Sequence, residues 1–465
     1  MNTGPTPAHP DPLHGARFRI HTFGCQMNEN DSEHLSGLLL AEGAEAAGSD
    51  QDCQIYIINT CAVRAKSVDK VYSLLGRIHK LNRGRKVVIA VSGCVAQLYR
   101  QEIQRRYPYV NLVIGPDNYA ELPQLIRRAF DEPQTATARH SGWRELPTSF
   151  RAGSTSGYIT VMEGCNNFCT YCIVPYTRGR EKFRAASQII REAEEMSAQG
   201  YRELQLLGQN VNVYRDPESG INFPGLLRRV SEIPHIGWIR FLTCHPRDFT
   251  PELARTMAEI PQICRQLHLP IQAGADAVLK RMNRGYTQID YLRKIDLLRQ
   301  IMPDIALSTD IIVGFPGESD SDFQETLRIL REVRYTNIFS FCYSPRPLTK
   351  ASRCLENPLP SEIKKQRLLQ VQELQREIQL QDHGKRVGSL MTVLCLGRNH
   401  KTPQLYTGRN QSHQVINFAS TPDPRGQFLQ VKIRSYGAYS LKGEAASAPS
   451  PLPMESRKRF PLIHG

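Results

Sequence analysis

Three cysteines fall close together in the middle of the chain, within the segment EGCNNFCTYCIVPYTRGRE. Cys165, Cys169 and Cys172 form a C-x3-C-x2-C pattern directly after a predicted strand, so they lie in a loop. Three thiolates at this spacing can hold one polymetal cluster, and on a four-iron cluster they leave one iron open to a substrate group. Zinc is the alternative metal, although structural zinc takes four ligands and no histidine lies nearby. Three buried core cysteines are the alternative without a metal. We call these three residues the loop cysteines.

A second set of cysteines is dispersed over the N-terminal part of the chain. Cys25, Cys61 and Cys94 each come just after a predicted strand and before the next predicted helix. The carboxyl ends of parallel strands share one edge of a sheet, which is the edge where ligands bind, and helix N-termini there stabilise thiolate charge. We therefore expect a second cluster with three protein ligands, with three independent core residues as the alternative. We call this set the edge cysteines.

The other cysteines lie singly, mostly in or beside apolar strands, and we assign none of them to a metal. They are Cys53, Cys244, Cys264, Cys342, Cys354 and Cys395. Twelve cysteines among 465 residues are too few for a disulfide scaffold. The N-terminus lacks the apolar core of a secretory signal, and the longest apolar runs are strand-sized. These features predict a cytoplasmic protein without membrane spans, in which cysteine motifs are metal ligands or catalysts.

The composition is that of a globular protein with a basic surface. Hydrophobic residues make up 40% and charged residues 22%, which excludes collagenous, mostly disordered and coiled-coil chains. Lys and Arg outnumber Asp and Glu by 59 to 45, and this net charge of +14 is typical of a protein that meets a polyanion. Four basic runs are candidates for phosphate contact, with a solvated helix face as the alternative for each: 77–86, 100–106, 364–367 and 456–459.

The hydrophobic pattern divides the chain into three units. Residues 17–132 alternate strand and helix patterns, which predicts a parallel sheet covered by helices. Residues 157–384 contain six candidate strands and end in a long amphipathic helix, as expected of a partial (β/α) barrel or a large doubly wound sheet. Residues 385–446 carry strand patterns only, typical of a small all-β barrel. The predicted fold class is therefore α/β, with a disordered tail at 1–16, a linker at 133–156 and a second disordered tail at 447–465.

Several longer segments resemble one enzyme family, the radical S-adenosylmethionine (SAM) methylthiotransferases. They are GCQMNENDSE at 24–33, NTCAVR at 59–64, GCVAQ at 93–97, CNNFCTYCIVPYTRGRE at 165–181, LGQNVNVY at 207–214, HLPIQAGADAVLKRMNRGYT at 268–287 and STDIIVGFPGE at 308–318. The resemblance covers about 17 to 445 and is closest to the enzymes that act on isopentenylated adenosine in tRNA. It implies that the second unit is a radical SAM partial barrel.

The resemblance implies two [4Fe-4S] clusters and SAM as cofactors. The loop cysteines would hold the cluster whose open iron chelates SAM, and an electron from an unidentified donor would cleave SAM to a 5′-deoxyadenosyl radical. The edge cysteines would hold an auxiliary cluster, where another SAM methylates the sulfur that is transferred. Turns at Gly208, Gly314 and Gly317 resemble segments that pack against SAM. Ordinary βα turns are the alternative for these glycines.

The implied reaction is methylthiolation of C-2 of N(6)-isopentenyladenosine at position 37 of tRNA, next to the anticodon. The sibling alternatives act on threonylcarbamoyl-adenosine of tRNA or on a ribosomal protein. An alternative of another class is a non-catalytic iron-sulfur RNA-binding protein. We expect a monomer that binds the anticodon stem-loop and does not associate with a membrane.

Residues 385–446 resemble the family's C-terminal TRAM domain, a small barrel that binds tRNA. The family commonly has GRT-x-x-N-R there, whereas this chain has Asn410, His413 and Gln414 in place of the Thr, Asn and Arg. We therefore expect one basic contact to tRNA to be missing. A fourth departure places Leu348 after the second proline of YSPRP, where the family usually has glycine.

Overall fold

The computed structural model describes residues 11–63, 65–146, 155–355 and 359–446. The predicted tail at 447–465 lies outside the described residues, as does most of the tail at 1–16. Residues 11–16 correct that prediction, because Leu13 is fully buried in the core of the first unit. The Gly15 amide also donates to the Gly43 carbonyl at 2.8 Å. Pro12 and Gly15 lie in the turns of this segment, which places Leu13 and Ala16 inside.

The first unit is a six-stranded parallel sheet in the order β2-β1-β3-β4-β5-β6. Its strands are β1 (Arg17–Phe23), β2 (Glu45–Ala46), β3 (Ile55–Thr60), β4 (Val88–Gly93), β5 (Leu112–Ile114) and β6 (Gln134–Ala136). Its helices are α1 (Gln26–Ala41), α2 (Ala65–Leu81), α3 (Cys94–Tyr99), α4 (Gln101–Arg106) and α5 (Leu122–Ala129). The strands β3 and β4 are buried along their whole length, because central parallel strands are covered on both faces. A separate apolar core fills each face.

The hydrophobic pattern does not predict the two outer strands of this sheet. The strand β2 has only two residues, and both are exposed. The strand β6 lies inside the segment expected to be a linker, and it pairs with β5 through Leu112 with Gln134 and Ile114 with Ala136. Because β6 is polar, backbone hydrogen bonds define it rather than apolar alternation. The linker therefore does not begin at residue 133.

The second unit is the partial barrel. Its strands are β7 (Ser156–Thr160), β8 (Met162–Glu163), β9 (Lys182–Phe183), β10 (Glu203–Leu207), β11 (Trp238–Phe241), β12 (Gln266–His268), β13 (Ala306–Val313) and β14 (Asn337–Cys342). Parallel sheets β7-β10-β11 and β12-β13-β14 are joined by a parallel bridge between Ile239 and Ile263. The six expected strands thus follow one another in chain order, which confirms the barrel over the doubly wound sheet. The short strands β8 and β9 form a separate antiparallel pair beside it.

Helices pack around the outside of the barrel. They are α6 (Val174–Thr177), α7 (Ala186–Ala198), α8 (Phe223–Ser231), α9 (Pro251–Glu259), α10 (Asp276–Arg281), α11 (Gln288–Ile301), α12 (Asp320–Val333), α13 (Lys350–Cys354) and α14 (Ser361–Gly384). Side-chain caps fix where several of them begin: Thr287 accepts from the Asp290 amide at 3.2 Å, and Ser319 accepts from the Asp322 amide at 3.1 Å. The barrel strands and these helices share one large core.

The third unit is a closed five-stranded barrel in the order β15-β16-β17-β19-β18. Its strands are β15 (Leu390–Arg398), β16 (Tyr406–Arg409), β17 (Val415–Ala419), β18 (Phe428–Tyr436) and β19 (Leu441–Ala445). The sequence predicts the first four. It misses β19, which pairs in parallel with β17 and antiparallel with β18, because LKGEA alternates in burial but has only one large apolar residue.

The third unit docks on the second through a small mixed contact. The rings of Trp238 and Phe428 meet edge to face with centroids 4.8 Å apart. Beside them, the buried Arg240 reaches into the turn between β16 and β17. Across the described residues, no helix combines the length and the apolar character needed to cross a membrane.

Candidate functional site

The edge cysteines follow three neighbouring strands of the first sheet. Cys25 comes after β1, Cys61 after β3 and Cys94 after β4, and these strands lie side by side. Their ends are level, because Phe23 pairs in register with Thr60, and Thr60 pairs in register with Gly93, the last residue of β4. Cys25 is the N-cap of α1 and Cys94 is the first residue of α3. The structure therefore brings the three cysteines to one edge, at helix N-termini.

Glycines let these three loops approach one another. A Cβ on Gly24 would lie 2.8 Å from the Cys61 Cβ, and a Cβ on Gly93, at φ +84°, would lie 2.5 Å from Asn59 Oδ1. Asn59 Nδ2 in turn donates to the Asn28 carbonyl at 2.9 Å, which ties β3 to α1. Larger residues at either glycine would push the cysteines apart.

The groups around Cys25 favour its thiolate form. The hydrogen bond with Cys61 lowers the pKa of Cys25, and the nearby guanidinium of Arg178 lowers it further. The same bond raises the pKa of Cys61. The Val63 amide donates to the Cys61 sulfur at 3.3 Å. Since iron binds the thiolate form, Cys25 is ready to bind a cluster, whereas Cys61 needs the cationic cluster itself to lose its proton.

The loop cysteines lie between β8 and α6. Gly164, at φ +79°, opens the loop, and a Cβ there would lie 2.0 Å from the Arg180 carbonyl oxygen. The Cys165 amide donates to the Gly179 carbonyl at 3.2 Å, and the Cys172 amide donates to the Cys169 carbonyl at 2.9 Å. These bonds hold the loop closed on itself, so the three sulfurs come from one compact turn of backbone.

The donor set fits an iron-sulfur cluster better than zinc. Burial raises the pKa of Cys165 to about 11 and that of Cys172 to about 12, so both need a cationic centre to ionise at neutral pH. Within the described ranges, no three Cys, His, Asp or Glu side chains converge closely enough to hold a single metal ion. Thiolates that ligate different irons of a cluster are farther apart than thiolates on one zinc ion. We therefore prefer the cluster for both sets.

Sequence reasoning misses a buried arginine beside the loop cysteines. Arg284 Nη1 donates to the Cys169 sulfur at 3.3 Å, and His245 Nε2 lies 3.8 Å from the same sulfur. Arg284 is separated from Cys169 by 115 positions. The only sequence signal is its place in the segment RMNRGYT that resembles the family, which assigns it no role.

The two cysteine sets lie on units that pack against each other. Ile173, the residue after Cys172, belongs to the core of the first unit together with Cys94 and Val95. The helix α6 that follows the loop thereby contacts α3, which begins at an edge cysteine. The segment that follows the loop cysteines thus packs directly against residues around the edge cysteine Cys94.

A buried ionic network crosses the same interface. Arg178 pairs with Asp31 of the first unit and donates to Glu163 Oε1 at 2.9 Å. Lys182 pairs with Asp117 of the first unit and lies 3.5 Å from Glu163. Because Asp31, Arg178 and Lys182 are buried and paired, removing one partner would leave its counterpart stranded. The network fixes the orientation of the two units.

The glycines expected to contact SAM each have a local packing reason. Gly208 follows β10, and a Cβ there would lie 2.6 Å from Met162 Sδ. Gly314 and Gly317 follow β13 at φ +70° and +77°, and a Cβ on Gly314 would lie 2.4 Å from Lys364 Cγ. These constraints account for glycine at the three positions, and contact with SAM stays a prediction.

The departures in the third unit lie in the turn that docks on the barrel. Asn410 Nδ2 donates to Gln414 Oε1 at 2.9 Å, and the Gln414 amide donates to Asn410 Oδ1 at 2.9 Å. The Asn410 carbonyl accepts from Arg240 Nη2 at 2.6 Å. The two substituted residues thus complement each other inside the turn, while the missing tRNA contact stays a prediction. One basic run is partly excluded from phosphate contact, because Arg367 is buried against Glu318.

Two departures fall at left-handed residues. Leu348 has φ +70° and His413 has φ +63°. Glycine adopts this conformation freely and asparagine more readily than most residues, which are the residues that the family usually has at these positions. The chain therefore carries local backbone strain at both.

Exposed phenylalanines near the barrel are candidates for stacking a base. Phe168, Phe339 and Phe341 are 44%, 42% and 37% exposed. Phe339 pairs in register with Asp310, and Phe341 lies two residues further along the same face of β14. The preceding Ile338 points to the opposite face of β14 and is buried in the core under the helices, so the two phenylalanines line the inside of the barrel. A base extruded from an RNA loop can stack on such a surface.

Comparisons with known proteins identify the family. The model of the Radical SAM superfamily matches residues 159–330, and the model described as Uncharacterized protein family UPF0004 matches residues 17–115. The tRNA-2-methylthio-N(6)-dimethylallyladenosine synthase of Geobacter metallireducens is 44% identical over 432 residues, covering 92% of this chain and 98% of that protein. The protein of the same name from Moorella thermoacetica is 42% identical over 435 residues, with the same coverage.

A solved structure shows a similar fold. The radical SAM methyltransferase TsrM from Kitasatospora setae has a TM-score of 0.54 at 16% identity, over 75% of this chain and 81% of that chain. At this identity, the likeness concerns the fold alone.

Proposed function

Because the chain belongs to the radical SAM methylthiotransferase family of the tRNA-2-methylthio-N(6)-dimethylallyladenosine synthases, we propose that it methylthiolates C-2 of N(6)-isopentenyladenosine at position 37 of tRNA. The enzyme transfers a sulfur-containing group and uses SAM and two [4Fe-4S] clusters. Its relatives match it over nearly their whole length, so the proposal concerns the complete reaction and not one domain of it.

One observation carries the proposal: two sets of three cysteines face a shared interface. A protein that only carries electrons has little use for a ligand set that leaves an iron open, and this chain has two such sets. We assign the radical-generating cluster to the loop cysteines and the auxiliary cluster to the edge cysteines. The contact of Ile173 with the core around Cys94 supports their cooperation in one reaction.

When bound, the cofactors supply a 5′-deoxyadenosyl radical from SAM at the loop cysteines and a methylated sulfur at the edge cysteines. The residues of the chain hold these groups in place. Arg178, paired with Asp31 and Glu163, locks the loop onto the first unit. Gly208 and Gly314 let the turns after β10 and β13 pack closely against Met162 and Lys364. We place SAM beside these turns.

The inside of the barrel favours an isopentenyl group over a threonylcarbamoyl group. Phe339 and Phe341 offer an exposed apolar surface, which suits a branched hydrocarbon substituent. The carboxylate of a threonylcarbamoyl group would instead meet Asp310, the residue beside Phe339 on the neighbouring strand. This charge repulsion argues against the sibling substrate.

Several partners belong to the same proposal. We place the enzyme in the cytoplasm as a monomer without membrane association, reduced by a one-electron donor that we do not identify. Residues 385–446 act as a TRAM domain that binds the anticodon stem-loop. Its basic surface supplies affinity that falls with salt, as phosphate contacts do.

Reconstitution under anaerobic conditions tests the function. The protein is incubated with SAM, a reductant and isopentenylated tRNA, and the digested nucleosides are analysed by mass spectrometry. We expect the 2-methylthio product and about eight irons per chain. Cys169→Ala is the matched control and should retain about four irons while losing SAM cleavage. A product from threonylcarbamoylated tRNA alone would transfer the assignment to the sibling enzyme, and four irons or zinc in the unsubstituted protein would refute the two-cluster site.

A further inference from the structure

Buried arginines in this protein almost all have a carboxylate partner. Those that the described residues contain are Arg178, Arg184, Arg240, Arg284 and Arg367. Four of them form ion pairs: Arg178 with Asp31 and Glu163, Arg184 with Glu145 and Glu192, Arg240 with Glu203, and Arg367 with Glu318 and Asp320. Arg284 has no ion pair with a carboxylate in the part of the chain that the structure describes. It is 3% exposed, so solvent does not compensate its charge either.

Every nitrogen of the Arg284 guanidinium is nevertheless used. Nη2 donates to the Pro270 carbonyl at 2.6 Å, and Nε donates to the Tyr286 hydroxyl at 2.9 Å. Nη1 donates to the Tyr171 hydroxyl at 3.2 Å and to the Cys169 sulfur at 3.3 Å. The side chain is therefore held in one position by partners from three segments of the chain.

The oxygen partners do not neutralise this charge. The Pro270 carbonyl and the phenol hydroxyls of Tyr286 and Tyr171 are uncharged groups at neutral pH, so none of them supplies an opposite charge. The Tyr286 hydroxyl donates its own hydrogen bond to the Ile271 carbonyl at 3.1 Å. Among the groups that Arg284 contacts, only the Cys169 sulfur becomes an anion when it binds a metal cluster.

We propose that Arg284 is a positioning residue that supplies the counter-charge of the cluster held by the loop cysteines and thereby raises its reduction potential. The electron that reduces the cluster comes from the external donor and adds one negative charge, while the proton of Arg284 does not move. A fixed cation next to a ligand sulfur stabilises the more negative, reduced state. The inference rests on the proposed assignment of this cluster and does not depend on which tRNA base is modified.

The test is a redox titration of the reconstituted full-length protein, followed by electron paramagnetic resonance. In Arg284→Gln, we expect the reduced-to-oxidised ratio of one cluster to fall roughly tenfold or more at a given potential, which is about 59 mV for a one-electron couple. The cluster at the edge cysteines should keep its potential and serves as the internal reference. Arg284→Lys keeps a positive charge and should recover most of the shift.

Controls separate this role from a structural one and from the cluster assignment. Arg367→Gln removes a buried arginine that is paired with Glu318, and it should leave both potentials unchanged. Cys169→Ala should abolish the signal that Arg284→Gln shifts; if it does not, the cluster assignment fails rather than the role of Arg284. If Arg284→Gln loses this cluster while Arg284→Lys retains it, the charge role is supported. Loss from both variants, or an unchanged potential in Arg284→Gln, would overturn it.

Discussion

Replacing Arg240 with methionine should weaken the docking of the third unit on the barrel. Arg240 and Glu203 are each 1% exposed and form an ion pair. Arg240 also donates to the carbonyls of Asn410 and Gln411, at 2.6 and 2.8 Å. One guanidinium therefore neutralises a buried acid and holds the turn between β16 and β17.

The size of the effect follows from the charge that is left behind. Removing one partner of a buried ion pair costs about 3–5 kcal/mol, mostly because the other charge stays buried. We expect Arg240→Met to lower the free energy of unfolding by about 4 kcal/mol. Glu203→Gln in the same chain removes the stranded charge and should restore about 2 kcal/mol, since Ser156 and Gln205 still contact this side chain.

The assay is a double-mutant cycle by denaturant unfolding, combined with hydrogen exchange over residues 406–419. In Arg240→Met, the amides of this turn should exchange faster, whereas those of β3 in the first unit should be unaffected. Single-variant costs that simply add in the double variant would refute the coupling. A decrease in the free energy of unfolding of less than about 1 kcal/mol in Arg240→Met is the value typical of a solvent-exposed ion pair, and it would refute the magnitude derived from burial.

Three further predictions concern positions where this chain is strained or open. Leu348→Gly should raise the free energy of unfolding by about 0.5–1 kcal/mol, because glycine relieves the left-handed backbone; a lower thermal midpoint would contradict this. Burial lowers the pKa of the His413 imidazole to about 2, so below pH 6.5 this side chain takes up a proton in the unfolded chain only. The free energy of unfolding therefore decreases as the pH is lowered. When the pH is lowered from 7.5 to 5.5, the free energy of unfolding of His413→Asn should rise by about 1.4 kcal/mol relative to that of the unsubstituted protein. The same difference between the two proteins at both pH values would refute this prediction. Phe339→Ala should lower kcat/KM for isopentenylated tRNA by roughly tenfold through lost stacking, and an unchanged value would remove Phe339 from the site.

Both cysteine sets could be found from the sequence because ligand chemistry constrains residue type and spacing together. The loop cysteines are adjacent in the chain, so their spacing alone is informative. The edge cysteines are far apart, and they could be grouped only because parallel strands end at a common edge. The register of Phe23 with Thr60 then places them level, which no sequence pattern specifies.

The roles that sequence reasoning misses depend on contacts between segments that are distant in the chain. Arg284 reaches Cys169 over 115 positions, and no local periodicity reports such a contact. Sequence reasoning misses β6 and β19 for a related reason: QTA has no large apolar residue and LKGEA has only one. Each of these strands forms because a neighbouring strand offers backbone N–H and C=O groups as hydrogen-bond partners. The sequence pattern places Leu13 in a tail, because one apolar residue among turn formers carries too little signal.

The two candidate centres differ in the charge that faces them. Arg178 approaches the edge cysteines, but Asp31 and Glu163 already neutralise it. Arg284 approaches the loop cysteines with no carboxylate partner among the described residues, so its full charge acts on Cys169. A cation that is not neutralised favours the reduced state more strongly than a neutralised one. The electron should therefore settle on the proposed loop cluster, to which we assign SAM cleavage, and leave the proposed edge cluster oxidised; a redox titration that finds the edge cluster reduced first would refute this division.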